Sequence, residues 1–352
     1  MKDKILVVDD IDLNRIILGE ILHEDYDVIE ASDGVEAVDI LYNSIDLPQA
    51  VLLDIMMPEM DGFQVLELIK SNPNTAMIPV LFITAADATE NEFKGLSEGA
   101  VDYISKPFNA AVVKARVDNH IQLKRYQNNL EDMVEQKAAE LMTTHEKILE
   151  TLATIIEYRS IESGEHIKRT SELLKTMVNY MLTMPKYNKT LMELNYNAIV
   201  KASPLHDIGK VGIPDSILLK PGKLTEEEFE VMKTHSEIGA RIIDSINMEG
   251  NELYLRHCRE ICKFHHERWD GKGYPDKLFE EEIPLSARMV SIVDVYDALV
   301  SPRCYKKSMS HEKALEIIKE GRGSQFDPYL IDIFLEVERQ FERLHMELRD
   351  PE

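Results

Sequence analysis

Four short apolar runs in the first third of the chain stop in a similar way. Ile5-Leu6-Val7-Val8 ends at Asp9-Asp10, Ala50-Val51-Leu52-Leu53 at Asp54, and Val80-Leu81-Phe82-Ile83 at Thr84, while Asp102-Tyr103-Ile104-Ser105 runs into Lys106-Pro107. Unbroken apolar, β-branched runs read as strands buried on both faces, the kind found in parallel sheets. Amphipathic helical patterns lie between them, for example from Asn14 to His23 and from Gly62 to Ser71. Strands alternating with helices predict an open, doubly wound α/β parallel sheet. Such sheets bind ligands at the carboxyl ends of their strands, where Asp9, Asp10, Asp54, Thr84 and Lys106 all fall. A single Asp after a strand is usually a turn or helix cap, but five such residues in order describe a site. Three converging carboxylates need a cation to stay ionised together, and hard oxygen ligands suit Mg²⁺. Asp54 is then a nucleophile toward a phosphoryl group, with Mg²⁺ and Lys106 stabilising its oxygens.

These residues, together with Met57-Pro58, Asp61-Gly62 and Lys106-Pro107, give residues 3–122 a resemblance to response-regulator receiver domains. The resemblance implies phosphorylation of Asp54 by a partner sensor histidine kinase. It implies Mg²⁺ held by Asp10, Asp54 and the backbone carbonyl of Met56, with Asp9 nearby. Thr84 and Tyr103 match the family's hydroxyl and aromatic switch positions.

From Asn109 to Tyr158 the chain has neither Pro nor Gly and is rich in strong helix formers. Val134, Ala138, Leu141, His145, Ile148, Leu152 and Ile155 recur in alternating steps of three and four, the seam of a short coiled coil. The expectation is a homodimer through this helix, with phosphorylation transmitted along it as a rotation or register shift. The alternative is a stripe that packs on the neighbouring domain of its own chain. The boundaries expected are a receiver over 1–122, a helical linker over 123–150 and an output domain over 151–352.

Beyond Thr151 the signals are helical, over roughly 166–184, 191–203, 225–246, 251–265, 285–300, 310–320 and 327–346. Thr225 with Glu228 forms a capping box, Asp327-Pro328 supplies a cap followed by Pro at the first helical position, and Gly321 follows the last periodic residue of its helix. On this all-α scaffold lie Glu162, His166, His206-Asp207, His235, His265-His266 and Asp294. Mixed imidazole and carboxylate ligands favour borderline transition metals over Ca²⁺. So many ligands exceed the need of one tetrahedral ion, which predicts two or three ions. Asp207 is the natural bridge, because a carboxylate offers one oxygen to each metal. Two such ions generate hydroxide at neutral pH and clamp a phosphoryl group for in-line attack. Lys210 follows within reach of a bound phosphate, and Arg303 and Lys306 form a second cationic patch.

The string His206-Asp207-Ile208-Gly209-Lys210, the stretch from His265-His266 to Gly273-Tyr274-Pro275, and the segment Glu157-Tyr158-Arg159 with Glu162, Gly164, His166 and Arg169-Thr170 resemble the HD-GYP family of cyclic-dinucleotide phosphodiesterases over about 145–345. The resemblance implies that His166, His206, Asp207, His235, His265, His266 and Asp294 are metal ligands, with Glu162 adding a ligand for a third ion. It implies that Lys210, Arg303 and Lys306 hold substrate phosphate, and that Gly273, Tyr274 and Pro275 shape the dinucleotide pocket. Ser160 stands where the family frequently has Asp. The metals expected are iron or manganese, with nickel or zinc as alternatives.

Composition narrows the field. At 352 residues and 44% apolar content, the chain has room for two cored domains. A net charge of −24 argues against a nucleic-acid polymer, whose binding relies on Lys and Arg at phosphates. It also means that an anionic substrate must be attracted locally, by bound cations and a few clustered basic groups. No apolar run approaches the ~18 residues of a bilayer span. With no leader pattern at Met1 and three cysteines, too few for a disulfide framework, a cytoplasmic protein is expected. Cys258 and Cys262, four apart, lack the further ligands of a thiolate metal site. The expected activity is hydrolysis of cyclic di-GMP to pGpG or GMP, under control of Asp54 phosphorylation. The alternatives are a cyclic-dinucleotide receptor or interaction scaffold without useful catalysis, and a phosphodiesterase for hybrid cyclic GMP-AMP.

Overall fold

The computed structural model describes residues 2–85, 97–160, 164–246, 248, 250–301 and 308–348. The chain divides into two compact units, residues 1–138 and 139–352. A long helix, Ala110–Arg159, begins in the first and ends in the second. Among the described residues, no helix is long and apolar enough to cross a membrane.

The first unit carries a parallel sheet of five strands, β1 (Lys4–Val8), β2 (Asp27–Ala31), β3 (Ala50–Asp54), β4 (Val80–Ala85) and β5 (Asp102–Lys106), in the order β2-β1-β3-β4-β5. Successive side chains on a strand point to opposite faces, and two separate cores result. Ile5, Val7, Leu52, Leu81 and Ile83 pack with Leu18, Leu22, Val113 and Val117 on one face. Leu6, Val8, Leu53, Val80 and Phe82 pack with Leu41, Val65 and Ile69 on the other. Burial on both faces is why these runs show no polar alternation. Strand order reverses beside β1, and the register pairs Val8 with Leu53. Asp9 and Asp54, one residue further on, therefore flank the crevice that parallel sheets use for ligands.

The second unit is helical. Its centre is the helix Leu285–Val300, buried at Met289, Val290, Ile292, Val293, Tyr296 and Asp297. Around it pack Leu173, Leu174, Met177 and Val178 of Gly164–Leu182, Cys258, Ile261 and Cys262 of Glu252–Phe264, and Phe334, Val337 and Phe341 of Pro328–Glu347. The two cysteines are core residues, and Cys262 donates to the Leu205 carbonyl at 3.0 Å.

Several local expectations meet the structure directly. Both halves of the Thr225–Glu228 capping box form, and the Asp327 carboxylate accepts from the backbone N–H groups of Tyr329 and Leu330. The expected helix over 225–246 is broken in two, Glu226–Lys233 and His235–Asp244. Near the end of the first piece, the Met232 carbonyl accepts from the His235 ring at 2.7 Å. The helix expected over 191–203 is likewise interrupted, because Asn195 adopts φ 51° between Pro185–Glu193 and Tyr196–Ala202. Gly321 is not a left-handed cap. Its φ is −76°, and a Cβ there would lie 2.7 Å from the Phe326 ring.

The seam residues Val134, Leu141, Ile148, Leu152 and Ile155 are exposed, whereas the adjoining Leu149 and Ala153 are buried in the second unit.

Phe334 is fully buried and meets Tyr296 at 5.7 Å and Phe341 at 5.1 Å between ring centroids. Phe334→Ala is expected to cost about 3–5 kcal/mol of stability, measured by denaturant unfolding followed through helical circular dichroism. A loss under ~1 kcal/mol would mean that this core is not packed as described.

Candidate metal centre

The candidate ligands come from separate elements of the second unit, and several sit at helix ends for a common reason. A carbonyl near a helix end has a second lone pair that the backbone leaves open, and an imidazole just beyond can donate to it. His206 Nδ1 donates to the Ser203 carbonyl at 2.9 Å, His235 Nδ1 to Met232 at 2.7 Å and His265 Nδ1 to Ile261 at 2.9 Å. His166, within Gly164–Leu182, instead donates Nδ1–H to the Asp297 carboxylate at 2.7 Å. Carbonyl and carboxylate oxygens only accept, so each of these rings carries a proton on Nδ1, and His235 and His265, whose burial keeps them neutral, present a bare Nε2 lone pair.

Those lone pairs converge on Asp207. Its Oδ1 lies 3.3 Å from His235 Nε2 and 3.7 Å from His265 Nε2. Its Oδ2 lies 3.3 Å from His206 Nε2 and 2.8 Å from Lys210 Nζ. Asp294 Oδ1 stands 3.6 Å from His166 Nε2 and 3.9 Å from His206 Nε2. Two groups result, Asp207 with His235, His265 and His266, and His166 with His206 and Asp294, each with ligand atoms within 4.8 Å of one another. His166 Nε2, His206 Nε2, His265 Nε2 and Asp207 Oδ1 are buried with no hydrogen-bond partner. Orphaned buried acceptors are costly, and a cation coordinated by them removes that cost. The residues present therefore fit divalent metal ions.

Electrostatics divides the groups in the same way. Burial disfavours the charged form of His206, but the adjacent Asp207 outweighs it and raises the ring's pKa. Burial pushes His265 down to about 3, against the partial pull of Asp207, and drives His266 well below its usual value. Burial would raise Asp207, yet Lys210 and His206 hold it well below the ordinary carboxylate range. Asp207 is therefore the anion of the cluster, and the rings on its Oδ1 side are neutral.

Close approach of backbone is built in. A Cβ on Gly209 would fall 1.8 Å from the His235 carbonyl, and one on Gly273 would fall 2.4 Å from the Arg268 nitrogen. Lys210 also lies 3.6 Å from the buried carboxylate of Glu157. From the last turn of Ala110–Arg159, the Arg159 guanidinium donates to the carbonyls of Lys210, Val211 and Ile213 at 2.9–3.1 Å and to Asp215 at 2.6 Å. Tyr274 stacks on His266, with ring centroids 4.8 Å apart and planes at 31°, and Pro275 follows it in the same loop. Glu162, Arg303 and Lys306 lie outside the described residues.

In the first unit, Asp9, Asp10 and Asp54 form a third group of this kind. Lys106 Nζ lies 3.0 Å from both Asp9 and Asp54. Burial pushes Asp54 up to about 6 against the pull of Lys106, so a cation beside it would favour the ionised, nucleophilic form. Thr84 is buried at the end of β4 and Met56 is exposed. The Arg116 guanidinium sits 5.0 Å from the centre of the Tyr103 ring.

Comparison with known proteins gives the family. A family model described as response regulator receiver domain matches residues 5–118, and one described as HD domain matches residues 129–330. The chain belongs to the HD-domain response regulators. It is 42% identical to a protein of Vibrio cholerae named "Probable cyclic di-GMP phosphodiesterase", over 99% of this chain and 80% of that one. It is 36% identical to a "Cyclic di-GMP phosphodiesterase" of Thermotoga maritima, over 98% and 93% respectively. It is 33% identical to the "Cyclic di-GMP phosphodiesterase response regulator RpfG" of Xanthomonas campestris, over 97% and 89%. Membership implies a divalent metal centre in the HD domain and a kinase partner for the receiver.

The sequence did not single out Asp297 as part of the site. Its carboxylate is buried, accepts from His166, and accepts from Arg169 Nε at 2.7 Å and Nη2 at 3.1 Å. Its spacing of three from Asp294 on one helix was the available signal. Glu267 was also unassigned. Its side chain accepts from the backbone N–H groups of Asp276, Lys277 and Leu278 at 2.7–3.1 Å and so fixes the loop that carries Tyr274.

Outer carboxylates of this kind orient a ligating imidazole and raise its basicity. Asp297→Asn is expected to weaken metal binding about 10–100-fold, measured by competition with a chelator. Unchanged affinity would show that Asp297 serves packing alone.

Proposed function

We propose that this chain is a response regulator that hydrolyses cyclic di-GMP under control of Asp54 phosphorylation, with Asp207 at the heart of its metal centre. The observation that carries the reading is the division of Asp207, whose Oδ1 faces the Nε2 atoms of His235 and His265 while its Oδ2 faces that of His206, the nitrogens of His265 and His206 being buried without a hydrogen-bond partner. In this reading His235, His265 and His266 would hold one ion and His166, His206 and Asp294 a second, with Asp207 available to both. Glu162 adds a ligand for a third ion, and iron or manganese is the expected metal. Such ions would supply Lewis acidity toward a phosphoryl oxygen and an activated water at neutral pH.

The chain's own residues do the rest. Lys210 carries a cation beside Asp207 and turns it to the non-bridging oxygens of the substrate phosphate, where Arg303 and Lys306 add charge. Gly273 lets the loop approach, and Tyr274 and Pro275 wall the dinucleotide pocket. Opening one phosphodiester gives pGpG, and opening the second gives GMP. In the receiver, Asp54 takes the phosphoryl group from a sensor histidine kinase, Mg²⁺ is held by Asp10, Asp54 and the Met56 carbonyl, and Lys106, Thr84 and Tyr103 respond. The receiver spans 1–122, the connecting helical segment 123–150 and the hydrolase 151–352. The exposed seam of the connecting helix is the contact of a homodimer.

Protein purified anaerobically is expected to convert cyclic di-GMP to linear product. Asp207→Ala is expected to abolish turnover and lower metal content, while Asp54→Ala abolishes phosphorylation and leaves metal content intact. Product from a metal-replete Asp207→Ala protein would contradict the assignment. Dinucleotide binding without turnover by fully loaded wild type would favour a receptor, and turnover of hybrid cyclic GMP-AMP alone would change the substrate. A separate check is Leu141→Asp with Ile148→Asp, which should convert a dimer to a monomer in sedimentation analysis. An unchanged dimer would place the contact elsewhere.

A further inference from the structure

Beside the candidate metal ligands stands a small aromatic corner of which the reading so far uses only Tyr274. The helix Glu226–Lys233 has no buried residue, and Phe229 on it is 48% exposed. The Phe229 ring meets Tyr274 at 6.4 Å with the planes at 84°, and Tyr274 in turn stacks on His266 and approaches His235 at 6.5 Å. Two perpendicular rings make a corner in which a flat group can lie on one face and present its edge to the other. Lys233, four residues after Phe229 and so on the same helix face, places its ammonium 5.5 Å from the centre of the Phe229 ring and 5.7 Å from that of Tyr274. Its ion-pair partner is the exposed Glu230, an interaction worth little in water and readily exchanged for a ligand.

We propose that Phe229 and Lys233 form a guanine subsite for the cyclic dinucleotide. The inference rests on the cyclic di-GMP reading above and adds specificity residues to it. The base stacks on the exposed Phe229 face against Tyr274, while its phosphate lies toward His266 and the ligand cluster. A lysine ammonium only donates hydrogen bonds. Guanine offers the two acceptors O6 and N7 along one edge, whereas adenine replaces the first with the N6 amino donor. Lys233 therefore matches guanine and disfavours adenine at this position. Stacking binds substrate in ground and transition states alike, so it acts on KM rather than on kcat.

The test is steady-state hydrolysis of cyclic di-GMP by the intact, metal-loaded protein. Phe229→Ala is expected to raise KM about tenfold, as loss of one base–aromatic stack does, with kcat and metal content little changed. Phe229→Trp, which keeps a stacking face, is expected to restore KM. Lys233→Met is expected to raise KM for cyclic di-GMP as well. An unchanged KM in Phe229→Ala overturns the subsite, as does a fall in kcat with loss of metal that Trp does not rescue. Loaded wild-type protein that turns over no cyclic di-GMP overturns the functional reading and the subsite together. Wild-type turnover with a normal Phe229→Ala protein overturns the subsite alone.

Discussion

The candidate site turns on one carboxylate that stands between imidazoles, with His235 and His265 at one oxygen and His206 at the other. Asp207 is buried, yet it is held ionised by Lys210 and His206, and its two oxygens serve opposite sides of the cluster. The rest of the site is arranged to present nitrogen lone pairs to it. Helix ends supply carbonyls that fix the Nδ1 protons of His206, His235 and His265, and Asp297 does the same for His166. Gly209 lets the segment after Asp207 lie against the backbone at His235, where any side chain would collide. The break in the helix at Thr234 belongs to the same design, because it delivers His235 at a helix start.

The receiver solves a related electrostatic problem with different means. Parallel strands ending together at a point of reversed strand order bring Asp9 and Asp54 side by side, and Lys106 balances them from β5. A chain with a net charge of −24 thus handles phosphoryl chemistry twice by grouping acids where a cation can sit and placing one lysine against them. Long-range attraction contributes nothing favourable here, so these local arrangements must carry anion recognition.

Much of this was legible in the sequence, and the exceptions have physical causes. Strands β1, β3 and β4 announced themselves because burial on both faces leaves an uninterrupted apolar run. β2 did not, since it lies at the sheet edge with Asp27 and Glu30 exposed, and its pattern is correspondingly weak. The candidate ligand histidines stood out through their residue types. Asp297 escaped notice because its role comes from packing, where two helices bring His166 and Arg169 of one against the carboxylate of the other, and its spacing of three from Asp294 was the only trace of that in the sequence. The interruption at Asn195 was hidden too, because a left-handed residue can occur without a glycine to mark it. Phe229 carries no signal in the sequence, because Tyr274 is brought beside it only by the fold.

The central claim, that Asp207 is shared between two metal ions, is tested most directly by anomalous X-ray scattering from crystals of anaerobically purified protein. The account predicts two anomalous peaks about 3.5–4 Å apart, one beside each oxygen of Asp207, the first among His235, His265 and His266 and the second among His166, His206 and Asp294. A single peak, or two peaks of which neither contacts Asp207, would contradict it.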